Sequence, residues 1–327
     1  MLFNAQVMHN YTDRRDADIY AEQTSSAKPK VAIALGSGSA RGWAHIGIIK
    51  RLTEAGIVPD IIVGTSIGAL VGGCEIAGIL PELEEFALSL TRRRVFALLD
   101  IPWGGGGLIG GNKLTELLES HLGETRIETL PRKYAAVATE LATGHEIWLT
   151  EGNLNTAMRA SYALPGIFSP IKITNKWLID GAVVNPIPVS VCRALGARYV
   201  IAVNLNTETV GTGTVIQDPR RGKGPKKSVM KMNKAQSIRQ WLTGSGSDEG
   251  PGISTSLVAA YTISQDRLAR SRMAGDPPDM VIAPKAPDIG LFDFDKARES
   301  IAAGERAVES ALGELEHAMV TLEANGA

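Results

Sequence analysis

Continuous apolar runs, not alternating ones, mark the first strands of this chain. Val31–Leu35 is uninterrupted, as in a parallel strand buried on both faces, and Asp60–Val63 and Tyr199–Val203 read the same way. Between the first two, Trp43–Ala55 places Ala44, Ile48 and Leu52 on one helical face and ends at Gly56. Ala69–Ala77 is a helix of small residues, suited to close packing on a sheet. Further helices are predicted over Glu82–Arg94, Asn112–Leu122, Leu154–Ser161, Pro188–Ala194 and Leu257–Met273, with a long one from Asp295 to about Glu323. Tyr134–Leu141 and His145–Leu149 form a strand pair around Thr143-Gly144, and Trp177–Ile179 and Met280–Ile282 are short strands. The order strand, loop, helix, strand, turn, helix predicts an α/β fold, a mostly parallel central sheet sandwiched by helices.

Four segments follow. Residues 1–29 read as a flexible tail, 30–206 as the core of the domain and 207–256 as a Gly/Ser-rich basic insertion or lid. Residues 257–327 supply helices and a strand that complete the same domain. Pro219–Gly244 holds eight basic residues and no acidic one, with Met230, Met232, Ile238, Trp241 and Leu242 interleaved. Peripheral contact with an anionic membrane and a solvated insertion both fit that composition.

Over the whole chain, 34 Lys and Arg balance 35 Asp and Glu, which gives no reason to expect a nucleic-acid partner. The two cysteines, Cys74 and Cys192, stand alone in apolar surroundings, so neither a disulfide scaffold nor a zinc site is expected. Met1–Lys30 is mixed polar and lacks the apolar run of a secretory signal. The expected location is the cytoplasm, with any membrane contact peripheral at the inner surface.

Two glycine-rich turns carry candidate chemistry. Gly64-Thr-Ser-Ile-Gly68 lies between a strand and a helix. In a chain with 35 glycines the G-x-S-x-G string alone is weak, but its strand-to-helix position is what a nucleophile elbow requires. Gly64 and Gly68 relieve crowding in a sharp turn that lifts the Ser66 hydroxyl toward the N-terminal amides of the next helix. Gly36-Ser-Gly-Ser-Ala-Arg-Gly42 also joins a strand to a helix. Its spacing misses the dinucleotide fingerprint by one residue, and it lacks the Lys-Ser/Thr pair of a P-loop. Beside a nucleophile, such a loop offers amides to an oxyanion; Ser37, Gly38 and Ser39 are the candidates, with Arg41 orienting the loop.

The base is an aspartate in this reading. Of five histidines only His317 follows the candidate acid Asp180, and it sits in a charged helix, so a Ser-His-Asp triad is disfavoured. Asp180-Gly181 ends a strand and leads into Asn185-Pro-Ile-Pro188. Asp-Gly is also a common turn pair, and the turn reading stands beside the catalytic one. Ile67, Leu70, Leu108, Ile109, Leu164 and Phe168 are candidates for an acyl pocket, each equally readable as ordinary core.

Taken together, Gly36–Gly42, Gly64-Thr-Ser-Ile-Gly68 and Asp180-Gly-Ala182 resemble the patatin-like phospholipases in order and spacing. Ala44-His-Ile-Gly47, Ala160-Ser-Tyr-Ala-Leu-Pro-Gly166 and Asn185-Pro-Ile-Pro188 extend the likeness over about residues 30–206. Arg272-Met-Ala-Gly-Asp-Pro-Pro278 is similar to the C-terminal part of the bacterial RssA-like branch. The resemblance implies a Ser66–Asp180 dyad, an oxyanion loop at 36–42, a lipid or other acyl-ester substrate, and no metal or cofactor. The loop departs from the commonest family pattern in carrying Ser37 and Ser39, whose side chains restrict positive φ. A thioesterase or peptidase on the same dyad, and a regulatory protein that uses the fold for binding, are the alternatives; nothing in the sequence supports a protein regulator.

Overall fold

A computed structural model describes residues 29–92, 95, 111–206 and 253–324. Eight strands form one sheet in the order β5-β6-β3-β2-β1-β7-β8, with β4 also paired to β3. The central strands β1 (Val31–Leu35), β2 (Ile61–Thr65) and β7 (Tyr199–Val203) pair in parallel, as do β2 with β3 (Lys133–Glu140) and β7 with β8 (Met280–Ile282). β4 (Glu146–Leu149), β5 (Ile171–Ile173) and β6 (Lys176–Asp180) are antiparallel additions at one side. The expected α/β sandwich is therefore present, and its parallel part is the part that the continuous apolar runs mark.

Both faces are covered because successive strand residues point opposite ways. Val31, Ile33 and Leu35 of β1 join one core cluster, and Ala32 and Ala34 join the other. The first cluster is roofed by α1 (Ala44–Glu54), α2 (Ile67–Ile76), α3 (Leu80–Ser89), α5 (Leu154–Ser161) and α8 (Ala297–Ala324). Leu118 and Leu122 of α4 (Gly111–Leu122) pack into it as well. The second cluster takes Val189, Val191 and Cys192 of α6 (Val189–Ala194) and Ala269 of α7 (Ile253–Gly275).

Some boundaries differ from expectation. Trp43 belongs to a 3-10 turn, Ser39–Trp43, that precedes α1. β5 was not predicted: three residues with one alternation carry too little pattern, and the strand exists because it pairs with Leu178, Trp177 and Lys176. α7 starts inside the expected insertion, whose residues 207–252 lie outside the described ones, as do the tail residues 1–28. The basic segment Pro219–Gly244 is thus also outside. Among the described residues no helix is long and apolar enough to cross a membrane.

Candidate active site

β2 ends at Thr65, and the next residue, Ser66, has φ 58° and ψ −124° before α2 begins. A non-glycine residue in that region is strained by about 1–3 kcal/mol and persists only where its surroundings over-determine it. Three contacts do so here. The Ser66 carbonyl accepts from the amides of Ala69 (2.9 Å) and Leu70 (3.2 Å). Its amide donates to Ser161 Oγ at 2.9 Å, and that hydroxyl in turn donates to the Val137 carbonyl at 2.5 Å. The start of α2 is pressed against the end of β1, so that a Cβ on Gly68 would lie 2.1 Å from the Leu35 carbonyl oxygen.

Asp180 arrives by strand register. Ala136 pairs with both Gly64 of β2 and Leu149 of β4, and Ala138 pairs with both Ile147 of β4 and Asp180 of β6. A strand has two edges, so β4 takes one, and β2 and β6 meet end to end along the other. The two chain segments leave the sheet at the same point. Ser66 Oγ donates to Asp180 Oδ2 at 2.6 Å, and the Ala182 amide donates to Oδ1 at 2.8 Å. The Asp180 backbone is tied on both sides, its amide to the Ala163 carbonyl (3.0 Å) and its carbonyl to Thr139 Oγ1 (2.9 Å). Gly181 follows because a Cβ there would sit 2.1 Å from the Val137 carbonyl oxygen.

Asp180 is 1% exposed. Burial pushes its carboxyl up from 3.8 to about 6, against the opposing pull of the hydrogen bonds from Ser66 and Ala182. A carboxylate so placed is a stronger base than an exposed one, while still ionised at neutral pH.

The glycine-serine loop lies beside this pair. Ser37, Gly38 and Ser39 line the same cavity as Ser66 and Asp180. The Ser37 amide is taken, donating to the Pro186 carbonyl at 2.9 Å, and its hydroxyl donates to Gln265 Oε1 at 2.9 Å. The amides of Gly38 and Ser39 bond to no described residue, which narrows the three candidate donors to two. Ser39 takes φ 50°, so a serine here does adopt the left-handed conformation that glycine would enter more readily. Gly36 and Gly42 flank the loop at backbone and side-chain contacts that leave no room for a Cβ. Arg41 is buried and does not line the cavity. Its backbone holds the loop, the amide to the Gly38 carbonyl and the carbonyl to Ser300 Oγ of α8. Burial lowers the Arg41 guanidinium to about 10.

No described histidine lines the cavity. His45 is fully buried, donates from Nε2 to the Gly36 carbonyl at 2.7 Å and is lowered to about 4 by burial, so it is a neutral structural group. Among the described residues there is no cluster of His, Cys, Asp and Glu able to hold a metal.

The Ser66–Asp180 pair opens into a cavity of about 430 Å³, within the range of small-ligand sites. Of the six residues named for an acyl pocket, Ile67, Leu70, Leu164 and Phe168 line this cavity; Leu108 and Ile109 lie outside the described residues. Much of the wall was not foreseen, notably Trp43, Phe86, Leu114, Tyr162 and Phe294. Also unforeseen were Tyr261 and Gln265, one turn apart on α7. They come from beyond the motif-bearing region, and an i, i+4 polar pair on a helix is the only signal they leave in the sequence.

The patatin-like phospholipase family model matches residues 33–193, the stretch that carries the elbow, the loop and the aspartate. An NTE family protein of Mycobacterium tuberculosis is 31% identical over 339 residues, covering 88% of this chain and 92% of the relative. A lysophospholipase of Neurospora crassa is 27% identical over 280 residues, covering 84% of this chain and 18% of its own much longer one. The crystal structure of VipD from Legionella pneumophila aligns at a TM-score of 0.44 and 12% identity, over 88% of this chain and 67% of that one. The chain belongs to the patatin-like phospholipase family and is a carboxylic ester hydrolase of that class.

Proposed function

We propose that this enzyme hydrolyses the acyl ester of a phospholipid or lysophospholipid through an acyl-enzyme on Ser66. The observation that carries the proposal is the 2.6 Å hydrogen bond from Ser66 Oγ to a buried Asp180 at the floor of an apolar cavity. Asp180 accepts the serine proton as Oγ bonds to the ester carbonyl. The carbonyl oxygen, now negative, faces the unpaired amides of Gly38 and Ser39. Asp180 returns the proton to the departing alcohol, leaving the acyl group on Ser66. Water then attacks the acyl carbon and gives its proton to the same carboxylate, and the fatty acid leaves as Ser66 recovers its hydrogen. Gly64, Gly68 and Gly181 allow the tight backbone this alignment needs.

Residues 30–206 with 257–327 act as one catalytic unit in this reading. An acyl chain suits the cavity better than a peptide does, because its walls are aromatic and aliphatic. The name of the Neurospora relative supports the lysophospholipid assignment. Peripheral contact with an anionic membrane from the cytoplasmic side fits the basic composition of residues 219–244. The test is a side-by-side assay of lysophospholipid, acyl thioester and peptide with wild type and Ser66→Ala. Serine-dependent turnover of the lipid ester in preference to the others is expected; preference for thioester or peptide would overturn the assignment.

A further inference from the structure

The acyl-transfer steps leave one charged group of the cavity unused. Arg159, in the last turn of α5, lines the cavity, yet its guanidinium makes no salt bridge and no hydrogen bond to any described residue. Arg132, Arg193, Arg270 and Arg272, by contrast, each hold a carboxylate. Nor does Arg159 serve the dyad. The Asp180 carboxyl responds to burial, to Ser66 and to the Ala182 amide, and to no cation. Arg159 acts instead on the Tyr162 hydroxyl, which also feels Glu119 of α4; that exposed carboxylate forms no ion pair with Arg159.

A partly buried arginine that lines a mostly apolar cavity, with no counter-ion among the described residues, is electrostatically incomplete. Its planar fork of N–H groups matches two oxygens of a phosphodiester. Thr115 and Ser169 line the same cavity, and each carries a hydroxyl able to donate. Ser161, which holds the Ser66 amide, lies two residues along the same helix. Two residues turn an α-helix by about 200° and advance it ~3 Å, so the cation leaves the helix well away from the elbow.

We infer that Arg159 recognises the phosphodiester of the glycerophospholipid or lysophospholipid whose acyl ester is presented to Ser66. This rests on the proposed acyl-hydrolase reading and adds the group that selects a phospholipid over an uncharged acylglycerol.

Binding, rather than turnover, separates the two claims. Trp43 lines the cavity, so its fluorescence can report occupancy. An ether-linked hexadecyl lysophosphatidylcholine analogue, which has no ester to cleave, is titrated below its critical micelle concentration against hexadecylglycerol, palmitate and inorganic phosphate. Wild type should prefer the phosphodiester over the alkylglycerol, and Arg159→Gln should reduce that preference by about tenfold to a hundredfold. Arg159→Lys should restore part of it. Equal losses for both ligands would mark a structural role, and no loss would remove Arg159 from recognition; either overturns the inference. A loss confined to palmitate would reassign the residue to the product carboxylate, and phosphate binding as tight as the lipid's would reassign it to a free anion. Because the ether lipid is never cleaved, these outcomes stand even if wild type hydrolyses no ester, a result that would refute the acyl-hydrolase reading by itself.

Discussion

Thr65 and Asp180 occupy consecutive rungs on one edge of β3, facing Val137 and Ala138 respectively. Two strands running toward each other along that edge stop one residue apart. The Ser66–Asp180 contact is therefore a property of sheet register, and the groups that fix the register ought to matter as much as the pair itself. A slip of one residue would turn the reacting side chain to the other face.

Asp180→Asn keeps the shape and the hydrogen-bond acceptor but removes the base. kcat/KM should fall on the order of 10²–10⁴-fold. In wild type, kcat/KM should rise with pH and level off above about 6, where the carboxyl is ionised.

The same group gives a stability prediction of opposite sense. Its pKa is raised from 3.8 to about 6 on folding, so between those values the folded state binds more protons than the unfolded state. Wild-type stability should fall as pH rises through that window, by on the order of 3 kcal/mol in all. Asp180→Asn removes the titration, so the variant should be the more stable protein at pH 8, with the gap closing toward pH 4. Urea unfolding at the two pH values checks this.

Ser161 is fully buried and bridges the Ser66 amide to the Val137 carbonyl. Ser161→Ala leaves both without that partner, at a cost of about 1–3 kcal/mol. The loss should appear in kcat with little change in KM, since the cavity walls are untouched.

Gln265→Leu removes the acceptor that holds Ser37 beside the candidate amide donors. A drop in kcat of about tenfold is expected, the worth of one buried hydrogen bond. Gln265→Glu retains an acceptor and so should keep more activity. Its negative charge shares the cavity with Asp180 and should raise that carboxyl further, moving the pH–rate profile to the alkaline side.

Gly68→Ala and Gly78→Ala should differ sharply. At Gly68 the new Cβ meets the Leu35 backbone, at 2.1 Å from oxygen and 2.6 Å from carbon, and neither atom can rotate away. At Gly78 there is open space, and the substitution meets only the unfavourable φ of 77°, worth about 1 kcal/mol. Thermal unfolding of the two variants should show a small shift for Gly78→Ala and loss of cooperative folding or of the elbow for Gly68→Ala.

The parts legible in the sequence share a cause. Val31–Leu35, the two glycine turns and the small-residue helix after Ser66 follow from local sterics and burial, and those leave marks within a few residues. Asp180 was legible as a residue type at a strand end, whereas its meeting with Ser66, 114 residues away in the chain, depends on how β2 and β6 share an edge of β3. β5 was missed because Thr174 makes its turn at φ 52° without a glycine to announce it, and because three residues show no period. The cavity wall was hardest to read. Phe86, Leu114 and Phe294 come from three separate elements, and each is indistinguishable in sequence from a core side chain. Tyr261 and Gln265 belong to a helix whose apolar face is poorly defined, so nothing there pointed to a site.

The most direct test of the account is covalent. The protein is treated with a fluorophosphonate probe, and the labelled peptide is identified by mass spectrometry in wild type, Ser66→Ala and Asp180→Asn. Stoichiometric label on Ser66 in wild type, none in Ser66→Ala and strongly slowed label in Asp180→Asn is the predicted result. Label at another residue, or equal labelling rates in wild type and Asp180→Asn, would contradict a serine activated by this aspartate.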